Sequence, residues 1–208
     1  MPAPLVELEN VWKRFGRQWV LRELSLTVTE GEVVALLGPN GVGKTTLLRV
    51  IATLIRPQRG AVRLFGKPAR ALETERGWIG LVANPPAFYR HLSGEENLEQ
   101  ALALSGKPIA RERALAVMEQ VGLPAGRAVA AYSSGMRKRL ALARTLLAGP
   151  RLLLLDEPET ALDRGGREEL VRVIRQVAEG GAVVLATHDH GFAETVATRQ
   201  VEMQGAGA

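Results

Sequence analysis

A chain of 208 residues without a single cysteine forms neither a disulfide nor a thiolate metal centre, and its length suits one domain, with room for an attached lobe. No apolar run approaches the ~20 residues of a membrane span, and the first residues show no basic region followed by an apolar stretch. Any membrane role is therefore expected to pass through a partner. The net charge of +5 admits nucleic acid or anionic lipid as partners, but in an arginine-rich chain basicity alone chooses no function.

Residues 5–30 read as an antiparallel edge sheet, with Leu24, Leu26 and Val28 alternating with Ser25, Thr27 and Thr29. Trp12, Phe15 and Trp19 offer an aromatic face that either stacks on a nucleotide base or is simply packed. Glu30-Gly31-Glu32 turns into Val33-Val34-Ala35-Leu36-Leu37, an unbroken apolar run that predicts a buried parallel strand. Gly38-Pro39-Asn40-Gly41-Val42-Gly43-Lys44-Thr45 follows, with a helix predicted from Thr46 to Ala52. This is the P-loop spacing between a strand and a helix. Phosphates need many donors at close range. Glycines let the backbone curl so that its N–H groups supply them, and the helix N-terminus adds its dipole. Lys44 brings a charge for the β- and γ-phosphates, and the Thr45 hydroxyl is a ligand for Mg²⁺.

Residues 56–60 break the chain, and strands are predicted at 61–65 and 78–82, the second ending at Ala83-Asn84-Pro85-Pro86. Residues 93–148 read as helical. Ser93-Gly94-Glu95-Glu96 is a capping box before Leu98 and Leu102. Pro108 opens a second helix whose buried stripe is Leu115, Met118 and Val121, with Gly122 as its stop. Ser133, Ser134 and Gly135 stand at the start of a third helix, as a plain N-cap or as a second anion site.

Leu152-Leu153-Leu154-Leu155 is another buried strand and ends in Asp156-Glu157-Pro158. Carboxylates at a strand's C-terminal end sit where α/β proteins bind ligands. Asp156 can hold Mg²⁺ through water, and Glu157 can orient or deprotonate an attacking water. Asp163 caps the next helix, whose Leu170, Val173, Ile174 and Val177 share one face. Residues 182–186 form a third buried strand that leads to His188, placed to contact a γ-phosphate; His91 and His190 are given no role. The last strand is expected from Thr198 to Met203.

In this order, the motifs resemble those of the ATP-binding cassette transporter ATPases over nearly the whole chain. The P-loop is similar to Walker A, Leu152–Asp156 with Glu157 to Walker B and its catalytic glutamate, Thr160–Asp163 to the D-loop, and His188 to the switch histidine. Ser133-Ser134-Gly135 stands where the family carries its signature, and Phe15 where an aromatic stacks on adenine. Two departures are visible. The usual Leu-Ser-Gly-Gly-Gln reads Tyr132-Ser133-Ser134-Gly135-Met136, and the family's glutamine at the lobe junction is replaced by Asn84, one methylene shorter.

The resemblance implies a P-loop NTPase fold of the α/β class: a RecA-like parallel-sheet core, an N-terminal antiparallel β-subdomain and an inserted helical subdomain. The core would take residues 1–84 and 149–208, the helical subdomain 85–148. It implies ATP and Mg²⁺ as cofactors, with Glu157, His188 and Lys44 catalytic and Thr45, Asp156 and Asn84 at the metal. Phe15, Gly38, Asn40, Gly41, Gly43, Lys44, Thr45, Thr46 and Asn84 would meet the nucleotide, joined by Ser133, Gly135 and Asp163. It further implies a second cassette chain, most simply a homodimer that ATP closes head to tail. It implies an integral membrane transporter subunit docked near residues 84–92, and a cytoplasmic location on the inner face of the membrane. No nucleic acid is expected. A single cassette with the Tyr132–Leu140 segment and no C-terminal regulatory domain is similar to the haem-exporter ATPases of cytochrome c maturation; another exporter is the alternative. A nucleic-acid or ribosome cassette would carry long heptads or two cassettes, and a GTPase would carry Asn-Lys-x-Asp; neither pattern is present.

Overall fold

The computed structural model describes residues 4–82, 87–104 and 110–205. The chain begins with two long strands, β1 (Pro4–Phe15) and β2 (Gln18–Thr29), paired antiparallel. With β4 (Arg59–Leu64) and β5 (Lys67–Pro68) they make a four-stranded sheet of order β2-β1-β4-β5. The second sheet is parallel and five-stranded. Its strands are β3 (Val33–Leu37), β6 (Ile79–Val82), β7 (Leu152–Asp156), β8 (Ala182–Ala186) and β9 (Arg199–Glu202), in the order β6-β7-β8-β3-β9. This is the parallel-sheet core with an added antiparallel sheet that the motifs led us to expect.

The apolar runs of the parallel strands follow from burial on both faces. Val34, Leu36, Leu152, Leu154 and Val184 point into one core, shared with Val6, Leu8 and Val28 of the antiparallel sheet. The same core takes Leu47, Leu48 and Ile51 of α1 (Lys44–Ile51). Val33, Ala35, Leu37, Leu153, Leu155, Val183 and Leu185 point the other way. There they meet α2 (Gly94–Leu104), α3 (Arg111–Gln120), α4 (Ser134–Leu146), α5 (Arg164–Ala178) and α6 (His190–Val196). Alternation along each strand thus builds two cores with one sheet between them. Each buried leucine contributes about 1.5–3 kcal/mol.

The helix ends follow the sequence closely. Ser93 Oγ accepts from Glu96 N at 3.2 Å while Glu96 Oε2 accepts from Ser93 N at 2.6 Å, a reciprocal capping box. Ser133, Asp163 and Asp189 accept from the first turns of α4, α5 and α6. Helix α1 differs: it starts at Gly43 with no side chain accepting from its first turn.

Three expectations are corrected or left aside. Helix α3 buries Ala114 and Met118, while Leu115 is only half-buried, because the helix turns its face slightly against α2 and α4. The last strand, Arg199–Glu202, is shorter than 198–203, although the flanking Thr198 and Met203 N–H groups still donate to the Val33 and Leu37 carbonyls at 2.8 Å. Pro108 and Asn84, with the roles given to them, lie outside the described residues. The two tryptophans of the aromatic stretch pack on each other, Trp12 edge-on to Trp19 at 5.3 Å, with Arg59 and Arg14 over their rings.

Strand β3 lies between β8 and β9, and β7 lies beside β8. The C-terminal ends of β3, β7 and β8 therefore open side by side, the position at which α/β sheets bind ligands.

Candidate active site

The loop from β3 to α1 curls by glycine geometry. Gly38 and Gly43 take φ of +139° and +110°. A Cβ at Gly38 would stand 2.8 Å from the Met203 carbonyl oxygen, so a side chain there collides with backbone. Lys44, the first residue of α1, is only 6% exposed. Its ammonium donates to the Gly38 carbonyl at 2.5 Å and the Pro39 carbonyl at 3.1 Å. Among the described residues no carboxylate pairs with it at salt-bridge distance. A buried charge held by carbonyl dipoles alone is a charge that wants an anion. It sits at a helix N-terminus whose own N–H groups point the same way.

The second wall comes from the end of β7. Asp156 faces Thr45, whose Oγ1 lies 2.9 Å from Oδ2 and 3.1 Å from Oδ1. Burial pushes the Asp156 carboxyl above its ordinary value; the Thr45 hydrogen bond works against burial, and the Glu157 charge beside it works with it. Glu157 is in the left-handed region at φ +45°, uncommon for a residue with a side chain. Its N–H donates to the Ala186 carbonyl of β8 at 2.9 Å, and its Oε1 lies 3.3 Å from His188 Nδ1. The P-loop, both carboxylates and Phe15 line one groove of about 510 Å³. Phe15, at the tip of β1, is 50% exposed, with the Lys13 ammonium 5.2 Å from its ring centroid.

The family model for ABC transporters matches residues 21–160 of this chain. The chain belongs to the ABC transporter family. It is 40% identical over 193 residues to the uncharacterised ABC transporter ATP-binding protein YdbJ of Bacillus subtilis (strain 168), covering 90% of this chain and 62% of that protein. It is 39% identical over 211 residues to the sulfate/thiosulfate import ATP-binding protein CysA of Escherichia coli (strain K12), covering 95% and 57%. The chain thus spans less than two thirds of either curated relative. The dimeric structure of the ATP-binding cassette MJ0796 in a post-hydrolysis state with ADP and Pi superposes with a TM-score of 0.85 at 30% identity. That match covers 96% of this chain and 94% of that one. The chain is therefore an ABC ATPase domain, an ATP-binding cassette.

The remaining motif residues fall in two places. Asn40, Gly41, Gly43 and Thr46 line the groove with Lys44 and Thr45. Ser133, Gly135 and Asp163 are not among its lining residues. Ser133 is exposed at the N-terminus of α4 and accepts from Met136 N at 3.1 Å. Asp163 accepts from Gly166 N at 2.8 Å as the cap of α5. The donor set at the groove is a threonine hydroxyl and one carboxylate pair, with no cluster of three or more His, Asp or Glu among the described residues. That set fits Mg²⁺, which takes one or two protein oxygens and completes its shell with phosphate and water.

Two residues without an assigned role from the sequence belong to this site. Lys138 on α4 donates to the Glu157 carbonyl at 2.8 Å. Burial pushes its ammonium below the ordinary lysine value, and Glu159, Glu157 and Asp156 oppose that. Glu159 is 2% exposed, and its Oε1 accepts from Thr187 Oγ1 at 2.5 Å. A basic residue in a helix and a second acid after Walker B were the only sequence signals.

Proposed function

We propose that this cassette binds and hydrolyses MgATP and, paired head to tail with a second cassette, drives an integral membrane partner. The observation that carries the reading is the buried Lys44, with no carboxylate at salt-bridge distance among the described residues, on a groove where Thr45 beside it faces Asp156 and Glu157 of the opposite wall. The P-loop amides and Lys44 would bind the triphosphate, Thr45 and Asp156 would hold Mg²⁺, and Phe15 would stack on the base. Bound Mg²⁺ would neutralise phosphate charge in the transition state. Glu157 would orient the attacking water and take its proton, with His188 beside the same carboxylate. Ser133, Gly135 and Asp163, away from their own groove, are read as serving the site of the partner chain.

Residues 1–84 and 149–208 are read as the catalytic core and 85–148 as the helical subdomain. No helix among the described residues is long and apolar enough to cross a membrane. We read the cassette as lying on the inner face of the membrane through its partner, docked near residues 84–92. Haem export for cytochrome c maturation is the finer reading, supported by the single cassette and the Tyr132–Leu140 segment; sulfate/thiosulfate import belongs to CysA.

Glu157→Gln tests the central step. It keeps the side-chain shape and removes the base. We expect ATP binding to persist, turnover to fall about 10²–10⁴-fold, and an ATP-stabilised dimer to accumulate on size exclusion. Wild-type turnover in this variant would remove Glu157 from the reaction.

A further inference from the structure

The loop between β7 and α5, residues 157–163, is held in an unusual shape from two sides. Two of its residues have left-handed backbone without being glycine, Glu157 at φ +45° and Ala161 at φ +64°. Such conformations persist only where the surroundings enforce them. Both are met by the same helix. Lys138 of α4 donates to the Glu157 carbonyl at 2.8 Å. One turn earlier, Gly135 packs so closely on the Ala161 carbonyl oxygen that a Cβ would stand 2.6 Å from it. On the other side, the buried Glu159 takes the Thr187 hydroxyl, which in turn accepts from Asp189 N at 2.9 Å. The loop is therefore slung between α4 and the β8 end that carries His188.

We propose that Lys138 is a positioning residue that fixes the backbone of Glu157, and that through it α4 links the two reaction chambers. Lys138 and Gly135 are one helical turn apart on a single helix of 13 residues. A nucleotide seated against Ser133 and Gly135 from the partner chain shifts or steadies that helix. The same helix grips the carbonyl of the water-handling residue in its own chain. Occupancy of one chamber is thus transmitted to the carboxylate of the other by a lysine and a glycine, with no need for contact between the two nucleotides. The inference rests on reading Glu157 as the water-handling carboxylate and the second cassette as closing head to tail over Ser133 and Gly135.

The test compares Lys138→Met, Lys138→Arg and Glu157→Gln in the full chain. Lys138→Met keeps the stem and loses the donor. It is expected to lower kcat roughly 10–100-fold, the scale of an ångström-sized misplacement, with KM within about twofold. In the nucleotide-free protein, amide hydrogen exchange should quicken across residues 157–163 and stay unchanged in α1. Lys138→Arg, which keeps a charged donor, should restore both. Wild-type kcat with unchanged loop exchange in Lys138→Met would overturn the proposal. So would equal damage in Lys138→Met and Lys138→Arg, which marks a packing role only. Wild-type turnover in Glu157→Gln would instead strike the catalytic reading, and the exchange measurement would still decide whether Lys138 holds the loop.

Discussion

Lys44 shows how much one charge decides. Its ammonium is buried and rests on two carbonyl oxygens of its own loop. Carbonyl dipoles solvate a cation less well than water and an anion together, so the site gains when a phosphate arrives. A hydrogen bond to a charged group is worth about 1.5–3 kcal/mol, or roughly 10–150-fold in affinity. Lys44→Ala removes the charge, and the Pro39 carbonyl keeps the Val42 N–H at 3.4 Å. We expect ATP binding, read by titration with a fluorescent ATP analogue, to weaken by at least ~10-fold, with the circular dichroism spectrum unchanged. An unaltered dissociation constant would remove the P-loop assignment. Phosphate chemistry fixes which residues such a loop can use, which is why Gly38, Gly43, Lys44 and Thr45 are legible from spacing alone. The left-handed backbone of Glu157 is not. Nothing in Asp-Glu-Pro announces it, since the neighbours that enforce it, Lys138 and Ala186, are far away in the chain.

At the scale of elements, local chemistry was readable and meetings between elements were not. The capping box at Ser93 closes as its four residues dictate. Ser93→Ala should cost about 1 kcal/mol and lower the melting temperature by roughly 2–4 °C for a domain of this size; an unchanged melting curve would mean that tertiary contacts alone hold the start of α2. The Ser93 amide holds the Glu96 carboxyl below its ordinary value. That half of the cap is present above about pH 4.5 and weakens as the pH falls below it, because only the ionised form is favoured in the folded state. Strands β3, β7 and β8 were legible for a similar reason: a strand buried on both faces must be apolar along its buried run. The buried stripe of α3 was harder. Ala114 and Leu115 are both apolar, and only the packing of α2 and α4 selects the smaller one. The grip of α4 on the loop after β7 spans 19 residues of sequence. Neither periodicity nor spacing reports such a contact.

For the whole molecule, the arrangement of motifs predicts that two broken chains can repair each other. The groove of one cassette holds the P-loop and both carboxylates, whereas Ser133 stands exposed on α4, outside that groove. If Ser133 serves the neighbouring chain, a variant lacking phosphate binding and a variant lacking the signature contact fail for different reasons. Lys44→Ala spoils the P-loop half of a chamber. Ser133→Glu places a negative charge where a γ-phosphate is expected; the position is exposed, and loss of its cap costs only about 1 kcal/mol, so the fold should stand. Each variant alone should be inactive. In a mixed pair, one chamber collects both defects and the other collects none. Random pairing makes half of all pairs mixed, and each has one sound chamber of two, so an equimolar mixture should regain turnover: about a quarter of the wild-type rate where the chambers fire independently, and less where α4 couples them. The measurement is ATP turnover of the mixture against each variant alone at the same total concentration. A mixture as inactive as its components, beside wild-type turnover that is strictly first order in cassette at the lowest concentrations, would show a chamber completed within one chain.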